Sequence, residues 1–151
     1  MARTRPNVFA IAFPECHCLA VRRAARQVTR FYDRVLEPSG LRTTQFSILA
    51  SLHRSGPMTI NNLAEALALD RTTLGRNILP LLRDGLIIAN RRNEDRRSKS
   101  VRVTGTGAAR LKMAVRLWTE AQTRLEAAFG APRVLALRML LRELSLAQLQ
   151  G

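Results

Sequence analysis

The spacing of turn-formers constrains this chain more than any other feature. Pro38-Ser39-Gly40, Ser55-Gly56-Pro57, Ala68-Leu69-Asp70, Gly85 and Thr104-Gly105-Thr106-Gly107 cut its middle into short pieces. Proline has no amide hydrogen to continue a ladder and glycine accepts turn geometry, so nothing long can run through this region. Thr43 and Thr44 are good caps for a helix carrying Phe46, Ile48, Leu49 and Leu52 to His53. Thr59 caps a shorter helix through Leu63, Ala64 and Leu67, and Asp70 caps another over Arg71 to Arg83, closed by Gly85. Three short helices, the last two joined by a tight link, form a helix-turn-helix pattern. Leu86-Ile87-Ile88 and Val101-Arg102-Val103 are β-prone and flank the polar stretch from Asn90 to Lys99, the signature of a hairpin. A hairpin placed directly after a helix-turn-helix predicts a winged helix.

The flanks differ in kind. From Glu15 to Glu37 the apolar residues Ala24, Val28, Phe31 and Val35 recur at helical spacing, with Arg22, Arg23, Arg26, Arg30 and Arg34 between them. After Thr104, Leu111, Val115, Trp118, Leu125 and Phe129 form a heptad-like stripe that Gly130-Ala131-Pro132 ends. Val134, Leu137, Leu140, Leu141 and Leu144 mark a last amphipathic helix. These helices carry more apolar surface than a small winged helix can cover, which predicts a twofold dimer. The expected fold is mainly α with a small β-hairpin wing, in a single chain over residues 1–151. Residues 41–104 form the winged-helix DNA-binding part, and residues 8–37 and 105–149 supply the dimerisation helices.

Charge narrows the partner. Twenty-five basic residues against 11 acidic ones give a net charge of +14, which favours a polyanion. An apolar fraction of 46% sets this charge on a folded body rather than a disordered tail. Cys16 and Cys18 are too few and too close together for a disulfide-stapled scaffold, so a reducing cytoplasm is expected. Arg3, Arg5 and the run Val8 to Phe13 imitate a signal peptide, but the run ends at Pro14 without a small-residue cleavage site. It is expected to be an ordered arm over the core or a partner subunit. No stretch approaches the roughly 18 apolar residues of a membrane span, so no membrane partner is expected.

The helix after Asp70 is the sharpest functional feature. Arg71, Thr72, Thr73, Arg76 and Asn77 lie in its first two turns with no carboxylate among them. A helix fits the major groove, where Arg, Asn and Thr match base edges and phosphates in double-stranded DNA. Ile78, Leu81 and Leu82 belong to the core, and Pro80 is expected to free the carbonyl of Arg76 and kink the helix mildly. In the hairpin, Arg91, Arg92, Arg96, Arg97 and Lys99 face Glu94 and Asp95. An arginine at such a tip can enter the narrow minor groove, while Asp95 is expected to orient a neighbouring arginine through a charge-assisted bond.

Enzymatic constellations are missing from the sequence. His17 and His53 are its two histidines and neither stands in a catalytic pattern. Gly105 and Gly107 lack the strand, third glycine and lysine of a phosphate loop. Neither an enzyme nor a bound cofactor is expected. Metal binding by Cys16-His17-Cys18 would need about four ligands, which the sequence does not assemble. The rival from another class is a non-specific architectural nucleic-acid binder, which charge alone would support.

The order of Gln45-Phe46-Ser47-Ile48-Leu49, Leu63-Ala64-Glu65-Ala66-Leu67, Thr72-Thr73-Leu74, Leu81-Leu82-Arg83-Asp84-Gly85-Leu86-Ile87, Asp95-Arg96-Arg97 and Val103-Thr104-Gly105-Thr106-Gly107 resembles the multiple-antibiotic-resistance regulator (MarR) family over about residues 15 to 149. Such a resemblance implies a homodimeric winged-helix repressor that binds a short palindrome and is released by a phenolic ligand, a metal or an oxidant. It places Asp95 and Arg97 in the wing, with the arginine on DNA. Val103 stands where the family usually has leucine.

Cys16 and Cys18 are candidate redox sensors, since the first turn of a helix favours a thiolate and Arg22 and Arg23 add positive charge nearby. Two cysteines two apart on a helix point about 200° from each other, so a bond across subunits or to a small thiol is expected rather than one between them. Cys18 also looks like the reactive cysteine of the organic-hydroperoxide-sensing branch of the family, with Tyr32 matching one partner phenol and threonine replacing a second near Thr43. The bland alternative is a pair of small apolar residues at a dimer contact. Phe46 and Trp118 are candidates to line an effector pocket between the dimer helices and the DNA-binding part.

Overall fold

The computed structural model describes residues 16–91 and 99–147. Among these residues six helices and three strands follow one another as α1 (His17–Leu36), α2 (Thr43–Ser55), β1 (Met58–Thr59), α3 (Ile60–Ala66), α4 (Arg71–Arg83), β2 (Ile87–Arg91), β3 (Lys99–Val103), α5 (Gly105–Phe129) and α6 (Ala131–Leu146), with a 3-10 turn over Glu37–Ser39. The winged helix-turn-helix architecture expected from the turn spacing is present. The arm Val8 to Phe13 lies outside the described residues.

Caps set most of the boundaries. Thr59 accepts from the Asn62 amide at 3.2 Å, and Thr104 accepts from the Gly107 amide at 3.0 Å. The start of α2 departs from expectation, because Thr43 is its first helical residue rather than its cap. The Thr43 amide and hydroxyl both donate to Asp33 Oδ1 at 2.7 Å, so a carboxylate from α1 satisfies an orphan donor of α2. Gln45 Oε1 accepts from the Arg42 amide at 2.9 Å. A long helix and the first helix of the helix-turn-helix are thereby tied together.

The sheet holds one strand more than expected. Met58 and Thr59 pair antiparallel with Val101 and Ser100, giving the order β1-β3-β2. A strand of two residues, the second of them the cap of α3, is too short for an alternating pattern to show, so only pairing reveals it. The hairpin pairs Ile87 with Val103 and runs out to Arg91 opposite Lys99. The core gathers Leu36, Leu41, Ile48, Leu49, Leu52, Leu63, Leu74, Ile78, Leu81, Leu86, Ile87, Val101 and Leu111.

Gly107 decides how closely α5 approaches the hairpin. A Cβ there would lie 2.0 Å from the Leu86 carbonyl oxygen. Thr104 reinforces the joint, its hydroxyl donating to the Gly85 carbonyl at 2.7 Å. Along α5 the buried residues are Gly107, Leu111, Ala114 and Ala121, whereas Val115 and Phe129 of the heptad-like stripe are exposed. The small residues face this protomer's own core and part of the large apolar stripe is left outside. α6 packs on α5 yet buries none of its residues.

Candidate nucleic-acid interface

α4 stands on the molecule through Leu74, Ile78 and Leu81, which are buried, and this fixes which face looks outward. At about 100° per residue, Thr72, Arg76, Leu79 and Arg83 share the opposite face, and all four are exposed. Leu79 is 66% exposed, an unusual position for leucine and one that sequence reasoning assigned to no role. Its signal was there: it lies seven residues after Thr72 and three after Arg76, on the same stripe.

Asp70 caps the helix, accepting from the Thr73 amide at 2.8 Å and from the Thr73 hydroxyl at 2.6 Å. These bonds, the hydroxyl's first and the amide's second, hold its carboxyl below the usual carboxylate range. Thr73 is therefore occupied with the cap. Asn77 is half-buried, one of its side-chain N–H groups donating to the Thr73 carbonyl at 2.8 Å. Of the five candidates on this helix, Arg71, Thr72 and Arg76 are exposed and Thr73 and Asn77 are half-buried. Pro80 leaves α4 a single helix from Arg71 to Arg83, and its own carbonyl accepts from the Asp84 amide at 2.9 Å.

The tight link before α4 turns at Ala68, which has φ of 49°, in the left-handed region that disfavours alanine. Its amide donates to the Glu65 carbonyl at 3.0 Å and the Leu69 amide to the Ala64 carbonyl at 2.9 Å, holding the turn between α3 and α4. In the hairpin, Arg91 and Lys99 pair at the ends of β2 and β3. Asp95, Arg96 and Arg97 lie outside the described residues.

Phe46 and Trp118, from α2 and α5, stack with centroids 6.0 Å apart and planes 19° from parallel. They line a cleft of about 370 Å³ with Ser47, Ala50, Ser51, Arg54, Leu67 and Val115, between the helix-turn-helix and the long helix. Cys16 is the N-cap of α1, its sulfur accepting from the Leu19 amide at 3.4 Å, and Cys18 lies in the first turn; both are exposed. Cys16 has extended backbone, so the helical angle used to separate the two thiols does not apply to this pair. Tyr32 lies 14 residues further along α1, about 21 Å along the axis, so within one protomer it cannot meet Cys18. Its hydroxyl donates instead to Gln122 on α5. Burial, and secondarily the charge of Glu126, pushes the phenol's pKa up.

Residues 41–99 match the model of the MarR family. The transcriptional regulator MosR of M. tuberculosis, solved in complex with DNA, is 41% identical, with 90% of this chain and 100% of that one covered and a TM-score of 0.75. The chain belongs to the MarR family. Members of this family are DNA-binding transcriptional regulators. YwoH of Bacillus subtilis, an HTH-type transcriptional regulator, is 33% identical over 84 residues, an alignment spanning 56% of this chain and 61% of YwoH. MarR of E. coli complexed with operator DNA shares the fold at 23% identity, with a TM-score of 0.75 over 84% of this chain and 91% of that one. The MarR-type layout explains why the outward stripe of α4 and the hairpin stand on one helix-turn-helix frame. Among the described residues no helix is long and apolar enough to cross a membrane.

Proposed function

We propose that this MarR-family chain is a cytoplasmic repressor that binds a palindromic operator as a homodimer and is released by a small-molecule or oxidant effector. The observation that carries the DNA contact is the outward stripe of α4, with Thr72, Arg76 and Leu79 exposed in line. Arg76 suits a guanine edge and Leu79 the methyl of a thymine, while Arg71 at the helix start suits a phosphate. Thr73 and Asn77, each with one donor engaged within the helix, flank this stripe and keep further donors or acceptors for DNA. Arg91, Arg96, Arg97 and Lys99 serve the wing, with Asp95 orienting an arginine. The 41%-identical relative solved with DNA supports this reading.

The homodimer rests on α6, where Leu135, Leu137, Met139, Leu140, Leu141, Leu144 and Leu146 are all at least 41% exposed. So large an uncovered apolar face suits a second copy of itself. Residues 41–104 then act as the DNA-binding part and residues 8–37 and 105–149 as the dimerisation part. The Phe46–Trp118 cleft is the place for a small effector, and Cys16 and Cys18 the place for an oxidant. No catalytic role is assigned.

The deciding experiment is competition for the DNA upstream of the protein's own gene. A specific repressor prefers its palindrome by roughly 10³-fold or more over random duplex. Equal competition by random DNA would leave a non-specific binder instead.

A further inference from the structure

Residues 41–104 hold 11 of the 25 basic side chains against five of the 11 acidic ones, a net +6 out of +14. More than half of the excess charge therefore lies outside the winged helix, and α1 concentrates it. Arg22, Arg26, Arg30 and Arg34 follow one another at four-residue spacing with Arg23 beside them, and α1 has no carboxylate before Asp33. At about 100° and 1.5 Å per residue these five fall within an arc of about 120° and span about 18 Å. All five are exposed, and none forms an ion pair among the described residues. The apolar stripe through Val28, Phe31 and Tyr32 faces the other way, with Tyr32 buried and bonded to α5.

Like charges four residues apart disfavour a helix, and this stripe contains three such pairs without internal compensation, so an external anion would relieve it. Between Arg22 and Arg34 the arc carries no apolar side chain, and its one acid, Asp33, is engaged with Thr43 and Arg42. A protein partner would need a buried aromatic or aliphatic anchor near the centre of the contact, whereas arginine forks match phosphate oxygens bidentately. We propose that the arginine face of α1 is a second DNA-binding surface, which holds the phosphate backbone of another duplex segment apart from the one engaged by α4. The proposal rests on the DNA-binding reading above. Dimerisation through α1 falls to its apolar side, where Val21 and Val28 are exposed, so in a homodimer two such arginine faces let an operator-bound protein bridge to neighbouring DNA without reading its sequence.

The test uses the full chain and the variant R22Q/R26Q/R30Q, in which glutamine keeps helix propensity while removing charge. An operator duplex of one site is immobilised and saturated with protein, and a labelled random-sequence duplex is added at low salt. Wild type should capture the second duplex and release it as salt rises. The variant should capture at least about tenfold less, with the same circular dichroism and the same operator affinity. Equal capture by both proteins overturns the proposal. Capture of poly-glutamate but not of the random duplex by wild type overturns it in favour of an acidic protein. Operator affinity, measured first on the short duplex alone, reports separately on the repressor reading.

Discussion

At the residue scale the contacts on α4 separate side chains that look alike in sequence. Arg76 points outward, while Asn77 spends its amide on the Thr73 carbonyl. Arg76→Ala is expected to lose about 1–3 kcal/mol on the operator and to relax specificity at one base pair. Arg97→Ala should weaken all sequences similarly and flatten the salt slope by about one. Affinities on a set of singly altered operators check this, and identical profiles for the two variants would contradict the division of roles. Asp70 adds a pH dependence. Its folded pKa is lowered, chiefly by the Thr73 hydroxyl, so its contribution to stability is present above the ordinary carboxylate range and is lost as pH falls through the folded value. Asp70→Asn keeps a capping acceptor but removes the titration. Melting curves between about pH 5 and 3 should show wild type losing stability more steeply than the variant. For the thiols, Cys18→Ser is expected to bind operator normally and to ignore peroxide that releases wild type, while Cys16→Ser keeps at least part of the response. Wild type that stays bound while its thiol is oxidised would move the effector to the Phe46–Trp118 cleft.

At the scale of elements the joints matter more than the helices themselves. The start of α5 rests on the hairpin through Thr104 and through the space that Gly107 leaves for the Leu86 carbonyl. Gly107→Ala would place a methyl 2.0 Å from that oxygen, so α5 would have to move off the hairpin. Overpacking of this kind is expected to destabilise by about 3 kcal/mol or more, measured by denaturant unfolding. A neutral result would mean that α5 can shift without loss. The joint between α1 and α2 has the same character: Asp33 caps α2 from outside it, and Arg110 Nη1 donates to the Ser39 carbonyl at 2.9 Å in the turn between them. These bonds tie α1 and α5 to the start of the helix-turn-helix, and under the function proposed above they are the route by which an effector would reach α4.

At the scale of the whole molecule the uncovered surface sorts into two kinds. Apolar residues on α6 and arginines on α1 are both exposed, and they call for different partners. A chain ending at Pro132 loses α6 almost entirely, and sedimentation is expected to find it monomeric. Its operator binding should fall steeply, because paired recognition helices read half-sites one helical turn apart. A truncated protein that remained dimeric and bound normally would refute the role given to α6.

The order of helices and hairpin is legible in the chain alone, because turn-formers, caps and apolar spacing act over a few residues and need no partner from elsewhere. So is the basic face of the helix after Asp70, since helical period alone places Thr72 and Arg76 together. Tertiary structure decided what depends on contacts between distant segments. Met58 and Thr59 become a strand only against Ser100 and Val101, and α2 receives its cap from Asp33, ten residues upstream. Thr73 and Asn77 have the right residue types for DNA, yet each already spends one donor within α4, which only the folded contacts reveal. Burial also chose Ala114 and Ala121 over Val115 and Phe129, because a close helix contact admits small side chains and leaves the larger ones for another surface.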